Sequence, residues 1–345
     1  MNQKRICTID IIKFFLSIVI VLHHYQQVMG IRFDKWNFYG GAVYFGYAVE
    51  FFFLISGFLS AYCLKDGEVP DFKPYILKKA ARIYPMTIIS VLFTAGLMFI
   101  YKIYNGSWFL ETKPGLWKLF NSMLLTHTGG VLPDLGLAVN NPTWYLCILM
   151  MCYVLFWQIM WLCSRLKVKP HCWFAAVCMI GIGIIKYEID LPCLNIYSGR
   201  GYAAFFFGIV IWHAHQNIEP LKLSAASAAV LVISGIILVV GATELFDDQW
   251  AVLTFLIFPS ILLSALYLDS FFRNSIWRIL GGISFEMYLW HFPLLIIWSF
   301  IPDYSLYNQK IMMLVFTMIT ILTGAFLYFF IEVPITGFLR KKYKI

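Results

Sequence analysis

The first long apolar segment of the sequence contains the ionisable side chains Lys13, His23 and His24, and the spacing of Lys13 and His24 is the informative one. They are eleven residues apart, so on a helix they point within about 20° of each other and lie about 16 Å apart. Asp10 and Ser17 lie close to the same face of this helix as Lys13 and His24. Charged groups within a membrane-length helix are costly and usually functional, and an imidazole can serve as a general base. We interpret His24 as a candidate catalytic base. The alternative is that Lys13 extends to the membrane surface and His24 hydrogen-bonds a neighbouring helix.

Two further groups could complete such a site. Glu50 precedes the apolar run FFFLISGF and is a second candidate catalytic residue, a carboxylate that orients His24, unless it only stabilises the fold. Lys79 and Arg82 are three residues apart and share a helix face. They could bind the phosphates of a cosubstrate, or they could contact lipid headgroups as topology anchors.

A late apolar segment carries a third polar face. Ser284, Tyr288 and His291 lie at i, i+4 and i+7, and the sequence His291-Phe292-Pro293 predicts a helix distortion that exposes a polar pocket. The alternative is an ordinary buried hydrogen-bond cluster. Arg200 is interpreted as an outer anchor or an interior counter-charge.

The elements that position these residues follow from the composition. The 345 residues are 61% hydrophobic and 13% charged, whereas soluble domains are roughly 45–50% apolar and about 25% charged. The apolar runs are continuous and about 20 residues long, as transmembrane helices require, and do not alternate like barrel strands. The predicted fold class is therefore all-α, a polytopic membrane helix bundle. We predict ten spans, at about residues 10–29, 42–64, 84–104, 143–163, 170–186, 201–215, 223–243, 250–269, 283–301 and 310–331.

Charge distribution predicts the orientation of this bundle. With the N-terminus in the cytoplasm, 17 of the 26 Lys and Arg residues fall in inner segments and 8 in outer ones. This bias follows the positive-inside rule, so both termini are predicted to be cytoplasmic and the basic charge is not attributed to nucleic-acid binding.

The eight cysteines are interpreted as small apolar residues, and no metal site is predicted. With no repeat or long linker, residues 1–345 are expected to form a single membrane domain with no fused soluble domain.

Several short motifs, in order, resemble those of the acyltransferase-3 family, bacterial membrane O-acyltransferases of the O-antigen acetylase type. Lys13 and His24 match a basic-x10-His motif, and Glu50–Phe58 matches acidic-x-Phe-Phe-x-x-Ser-Gly-Phe. Lys79–Pro85 matches basic-x-x-Arg-Ile-x-Pro, with Lys13 and Lys79 standing where Arg is commoner. Ser284–His291 and Glu332–Pro334 match the family's Ser-x3-Tyr-Leu-x-His and Glu-x-Pro elements.

The resemblance implies transfer of an acyl group, most often acetyl, from cytosolic acyl-CoA to a hydroxyl of an envelope glycan or its lipid-linked precursor. Acyl-CoA would be a cosubstrate, with no tightly bound cofactor, and the enzyme would lie among the lipids of the bacterial inner membrane. The sequence does not determine whether it is a monomer or a homodimer. The implied roles are CoA binding by Lys13, Lys79 and Arg82, catalysis by His24 and Glu50, and acceptor binding by Ser284, Tyr288, His291 and Arg200.

Another class of protein also carries ionisable groups inside its spans. A proton-coupled transporter or flippase of a polysaccharide precursor would use intramembrane His, Glu and Lys side chains. Such transporters often contain two repeats with broken helices at corresponding positions, a pattern the sequence lacks. We therefore favour the enzyme. A membrane scaffold is the third alternative, but it has no use for buried charges.

Overall fold

The computed structural model describes residues 5–33, 37–64, 68–128, 138–240, 248–272, 274–302 and 306–344, and the fold is described for these residues. The regular elements among them are helices, so the predicted all-α class is confirmed. The α-helices are α1 Cys7–Met29, α2 Ala48–Tyr62, α3 Phe72–Asn105, α4 Leu116–Leu124, α5 Trp144–Leu166, α6 His171–Lys186, α7 Ile196–Asn217, α8 Pro220–Val240, α9 Gln249–Val252, α10 Phe258–Leu268, α11 Ser275–Trp298, α12 Gln309–Leu327 and α13 Val333–Tyr343. Single π-helical turns, Leu253–Ile257 and Tyr328–Glu332, join α9 to α10 and α12 to α13.

Seven of the described helical segments are long and apolar enough to cross a membrane. They are Cys7–Met29, Phe45–Tyr62, Phe72–Asn105, Asn141–Leu166, Gln249–Phe271, Ser275–Trp298 and Gln309–Tyr343. Each of the ten predicted spans coincides with a helix, but α6, α7 and α8 are not among these seven. α6 has 16 residues, or about 24 Å, which is shorter than a typical hydrocarbon core of about 30 Å. The chain is thus a multi-pass helical membrane protein, while the count of ten spans and the cytoplasmic termini stay predictions.

Backbone caps define where several of the helices end. α1 ends at Gly30, which adopts a positive φ of 66° and donates its N–H to the carbonyl of Gln26. Glycine takes this left-handed conformation without the steric cost that a side chain brings. α7 begins with a capping box, in which Asn195 and Ser198 each bond the backbone of the other. These caps define the C-terminal end of the helix that carries His24 and the N-terminal end of the helix that carries Arg200.

Small residues allow the helices around the site to pack closely. A Cβ added at Gly281 of α11 would overlap Asp10 of α1, and one added at Gly57 of α2 would overlap the backbone carbonyl oxygen of Phe205 in α7. Ser56-Gly57 therefore serves helix packing, as small residues do at transmembrane interfaces. As a result α1 lies against α11, and α2 lies against α7.

Pro293 leaves α11 continuous but frees one of its backbone carbonyls. Proline has no N–H, so the carbonyl of Leu289, four residues earlier, loses its helical partner. Asn140, which precedes α5, replaces that partner: its Nδ2 donates to the Leu289 carbonyl at 3.0 Å and to the Ser90 hydroxyl at 3.2 Å. The predicted distortion at His291–Pro293 is therefore not a break in the helix but a polar attachment point for the segment before α5.

Candidate active site

A wide basic cavity, here called the vestibule, opens at the end of the bundle where α1 begins. Its volume is about 860 Å³. Its basic lining residues are Arg5, Lys13, Lys78, Arg82 and Arg340, and its acidic ones are Asp10 and Glu332. The excess of cationic side chains suits a ligand that carries several negative charges.

A narrower cavity, here called the inner cavity, continues from the vestibule into the bundle. It has a volume of about 290 Å³ and shares Lys13, Lys78, Arg82 and Arg340 with the vestibule. Beyond these shared residues the lining becomes largely apolar and aromatic. The residues that line this inner part of the cavity include Val49, Phe52, Ser56, Tyr145, Tyr153, Ser284, Phe285 and Tyr288. The change from basic to aromatic lining suits a molecule with an anionic head and a thin, less polar arm.

Lys13 lies where the two cavities meet. Its Nζ is 3.0 Å from the Asp10 carboxylate, which also accepts from the Nε of Arg5. Asp10 is buried and is held against α11 by the close approach at Gly281. The polar stripe predicted on α1 thus includes a carboxylate that holds the lysine ammonium at the cavity junction.

The other two predicted phosphate-binding residues also line the inner cavity. Lys79 has its Nζ 4.1 Å from the centre of the Tyr153 ring, a cation–π contact. Arg82 is half exposed, and its Nε lies 4.0 Å from the carboxylate of Glu332, at the end of the π-helical turn before α13. Lys13, Lys79 and Arg82 therefore line one cavity.

Two of the residues predicted to bind the acceptor line this same cavity. Ser284 is buried, accepts a hydrogen bond through its backbone carbonyl from Ser17 of α1 at 3.1 Å, and donates its hydroxyl to the carbonyl of Gly281. Tyr288 donates its hydroxyl to the carbonyl of Pro142 at 2.7 Å. Both side chains lie on the side of the bundle reached through the basic vestibule.

His24 and His291 form a direct pair. The Nδ1 of His24 is 3.1 Å from the Nε2 of His291, and the two rings stack with centroids 5.0 Å apart. His291 is fully buried, whereas His24 is partly accessible. Neither ring lines the vestibule or the inner cavity. Tyr288 lies between the inner cavity and the histidine pair, with its ring centroid 6.0 Å from that of His291.

Glu50 is engaged by residues other than His24. Its carboxylate accepts from the Nε and, at 2.9 Å, the Nη2 of Arg200, and from the indole N–H of Trp250 at 2.9 Å. Arg200 is also stacked over Trp144, with its guanidinium 4.8 Å from the ring centre. The expectation that Glu50 orients His24 is therefore replaced: a fully buried carboxylate requires a charged partner, and Arg200 supplies it. Of the two readings of Arg200, the structure favours the interior counter-charge.

A polar cluster formed by α4, His127 and the turn before α5 packs against the middle of α11. The His127 ring lies 3.4 Å from the Thr143 hydroxyl and 3.5 Å from the carbonyl of Asn121 at the end of α4. Burial lowers the pKa of His127 to about 4, so the ring is neutral at physiological pH. This neutral ring and the bonds of Asn140 hold the turn before α5 against Tyr288 and Leu289.

Three residues at the site were not predicted from the sequence. Arg340 and Lys78 line both cavities, but they had been counted only as topology charges. Glu332 was noted as part of a motif, without its contact to Arg82. The signal available for Arg340 was its place in a basic run next to a predicted span, and such a run does not show which charge turns inward.

Comparison with known proteins gives a consistent result for most of the chain. The model of the Acyl_transf_3 family, described as an acyltransferase domain, matches residues 8–330. This range includes all the predicted site residues and ends before α13.

The names of curated relatives agree with this family match. Three of them, from Staphylococcus aureus strains COL, MSSA476 and MRSA252, are each named "Putative O-acetyltransferase". Each is 22% identical over 326 residues, covering 83% of this chain and 52% of the relative. The chain thus spans about half the length of the curated relatives it matches. No solved structure matches it.

Proposed function

The chain belongs to the Acyl_transf_3 family of acyltransferase domains, and we propose that it is a membrane O-acyltransferase. It transfers an acetyl group from acetyl-CoA to a hydroxyl of an envelope glycan or of a lipid-linked sugar. The donor is bound from the cytosol, and the protein lies in the bacterial inner membrane with both termini in the cytoplasm. The names of its staphylococcal relatives support acetyl as the group transferred.

One observation carries this proposal: the basic vestibule narrows into an aromatic cavity that ends at Tyr288, the residue whose ring lies between this cavity and the histidine pair. Lys13, Arg82 and Arg340 bind the phosphates of CoA, since guanidinium and ammonium groups form charge-assisted bonds with phosphate. The pantetheine arm then extends along the inner cavity towards Tyr288. The distance of about 16 Å between Lys13 and His24 along α1 is compatible with such an arm.

His24 is the general base of the reaction. It takes the proton of the acceptor hydroxyl as that oxygen attacks the thioester carbonyl carbon, forming the new C–O bond. The C–S bond then breaks, and the His24 imidazolium returns the proton to the CoA sulfur, which restores the neutral base. A positioned base contributes typically about 10²- to 10⁴-fold to such a step.

The remaining predicted residues take different parts in this scheme. Ser284 and Tyr288 line the thioester end of the donor cavity. Arg200 lies on the acceptor side, where its charge is balanced by Glu50 and its guanidinium is held over the rings of Trp144 and Tyr47. Glu50 thus acts through Arg200 and not through His24.

Substitution of the base tests the proposal. Purified protein in lipid nanodiscs, or the membranes of expressing cells, is incubated with acetyl-CoA labelled in the acetyl group. We expect the wild type to release CoA and to form a base-labile acetyl ester, and His24→Ala to lose this turnover by at least about 10²-fold, with normal membrane insertion.

The matched control is His171→Ala, which removes an exposed imidazole from the start of α6. It should leave turnover unchanged. Full turnover in His24→Ala would exclude His24 as the base. Flux of a glycan precursor without acyl chemistry in the wild type would favour the transporter alternative. Mass spectrometry of envelope glycans from cells with and without the gene would identify the acceptor.

A further inference from the structure

The hydrogen bonds around the histidine pair determine which nitrogen of each ring carries a proton. The Nδ1 of His291 lies 3.3 Å from the backbone carbonyl of Met287, one turn earlier in α11. A carbonyl oxygen only accepts hydrogen bonds, so an unprotonated Nδ1 would set two lone pairs against each other. His291 therefore carries its proton on Nδ1, and its Nε2 has a free lone pair.

The tautomer of His24 follows from that of His291. The lone pair on His291 Nε2 can only accept, and the atom 3.1 Å away is the Nδ1 of His24. His24 therefore carries its proton on Nδ1 and donates it to His291, and the backbone of Ile20, one turn earlier in α1, also hydrogen-bonds the His24 ring. The second nitrogen of His24, Nε2, is then left with the lone pair that a base requires.

We propose that His291 is a positioning residue for His24, which it fixes in the Nδ1–H tautomer with Nε2 as the proton-accepting atom. This inference rests on the proposed function, in which His24 is the base. It gives His291 a role different from the acceptor binding predicted from the sequence. The orienting group is a neutral imidazole where the serine-protease triad uses a carboxylate.

The pair also determines the path of the proton. When His24 Nε2 takes the hydroxyl proton, its Nδ1–H stays bonded to His291. The Nδ1–H of His291 points at a peptide carbonyl, which is not a base, so the proton cannot pass along the pair. His24 must give it back on the side where it took it, to the sulfur of the departing CoA. The geometry therefore predicts one base that serves both halves of the reaction.

The tautomers can be measured without any assay of activity. We expect nitrogen-15 solid-state NMR of histidine-labelled protein in lipid bilayers, near pH 7.5, to show His24 and His291 both as Nδ1–H tautomers. Single substitutions His24→Gln and His291→Gln assign the two signals. An Nε2–H tautomer for His24 in the wild type would overturn the inference.

Turnover gives a second readout, with CoA release from acetyl-CoA as the signal. In His291→Leu, which removes the acceptor, we expect kcat to fall between about 10²- and 10⁴-fold while KM for acetyl-CoA is unchanged. In His291→Gln, the amide oxygen can accept from His24, so most of kcat should return. A disrupted fold would instead lower the midpoint of thermal unfolding of His291→Leu in detergent, and the Gln variant would not restore kcat.

The matched control is Trp290→Phe, because Trp290 is the neighbouring residue on α11 but packs against Phe93 of α3. It should retain the wild-type kcat. Unchanged kcat in His291→Leu would refute the positioning role. If the wild type releases no CoA at all, the proposed function fails, and the NMR measurement still decides the tautomer.

Discussion

Arg340 shows how a single residue outside the matched family region can belong to the site. It lies on α13, which begins at Val333, whereas the family match ends at residue 330. Pro85 in α3 frees the carbonyl of Ala81, and the hydroxyl of Thr336 lies 3.5 Å from that oxygen. Arg340 follows Thr336 by one helical turn, so this contact holds its guanidinium at the mouth of both cavities.

Replacing Arg340 should therefore weaken donor binding without affecting the chemical step. A hydrogen bond to a charged group contributes about 1.5–3 kcal/mol, and Arg340 is partly solvated, so we expect Arg340→Ala to raise KM for acetyl-CoA about 10-fold. The value of kcat at saturation should not change. Initial rates of CoA release across a range of acetyl-CoA concentrations give both constants.

Two comparisons make the Arg340 result specific. Lys341→Ala removes the adjacent, exposed charge and should leave KM unchanged. With acetyl-pantetheine, which lacks the nucleotide phosphates, Arg340→Ala and wild type should react alike. Equal KM values for acetyl-CoA in Arg340→Ala and wild type would show that Arg340 does not bind the donor.

At the residue scale, sequence periodicity predicted only which side chains share a face of the same helix. The common face of Lys13 and His24, and that of Ser284 and Tyr288, follow from 3.6 residues per turn. The His24–His291 bond joins residues 267 positions apart, and no local pattern encodes such a pairing. Glu50 was assigned the wrong partner for the same reason: its contact with Arg200 depends on how α2 packs against α7.

At the element scale, the packing of α2 against α7 depends on a glycine. Gly57 faces the backbone of α7, where a Cβ would overlap the Phe205 carbonyl oxygen. A backbone carbonyl cannot rotate away as a side chain can, so the helices must separate. We expect Gly57→Ala to destabilise the protein by about 1–3 kcal/mol, the usual cost of overpacking. A lower midpoint of thermal unfolding in detergent would show it.

Gly96 in α3 is the matched control for this substitution. It is exposed, and a Cβ there would meet no atom within 4 Å. Alanine is favoured over glycine in a helix by up to about 1 kcal/mol, so Gly96→Ala should leave the midpoint unchanged or raise it. Equal loss of stability in both variants would indicate that the α2–α7 contact is not specially tight.

The helices themselves were largely predictable, because hydropathy is summed over about 20 residues and tolerates local exceptions. Each predicted span coincides with a helix. The ends were less predictable: α3 starts at Phe72, about three turns before the predicted span, because its basic first part is helical although it is polar. The inner cavity was expected only as a polar interior, since its shape depends on α1, α2, α3, α5, α11 and α13 together.

At the scale of the whole molecule, two cysteines mark the two ends of the bundle. Cys63, at the end of α2, is exposed and lines both the vestibule and the inner cavity. Cys193 precedes α7. The opposite end of α7 lies near the end of α2, because Trp212 packs against Tyr62 at 5.1 Å. Since α7 has 22 residues and is about 33 Å long, Cys193 and Cys63 mark opposite ends.

This pair of thiols tests orientation and donor binding together. In two variants, each retaining only Cys63 or only Cys193 of the eight cysteines, a membrane-impermeant maleimide is added to inside-out vesicles or to intact spheroplasts. Because the excess of Lys and Arg is predicted to lie in the cytoplasm, we expect Cys63 to react only in inside-out vesicles and Cys193 only in spheroplasts. Acetyl-CoA should slow the labelling of Cys63 and leave that of Cys193 unchanged. The reverse sidedness would overturn the predicted orientation, and it would place the basic vestibule on the side of the membrane where cytosolic acyl-CoA cannot reach it.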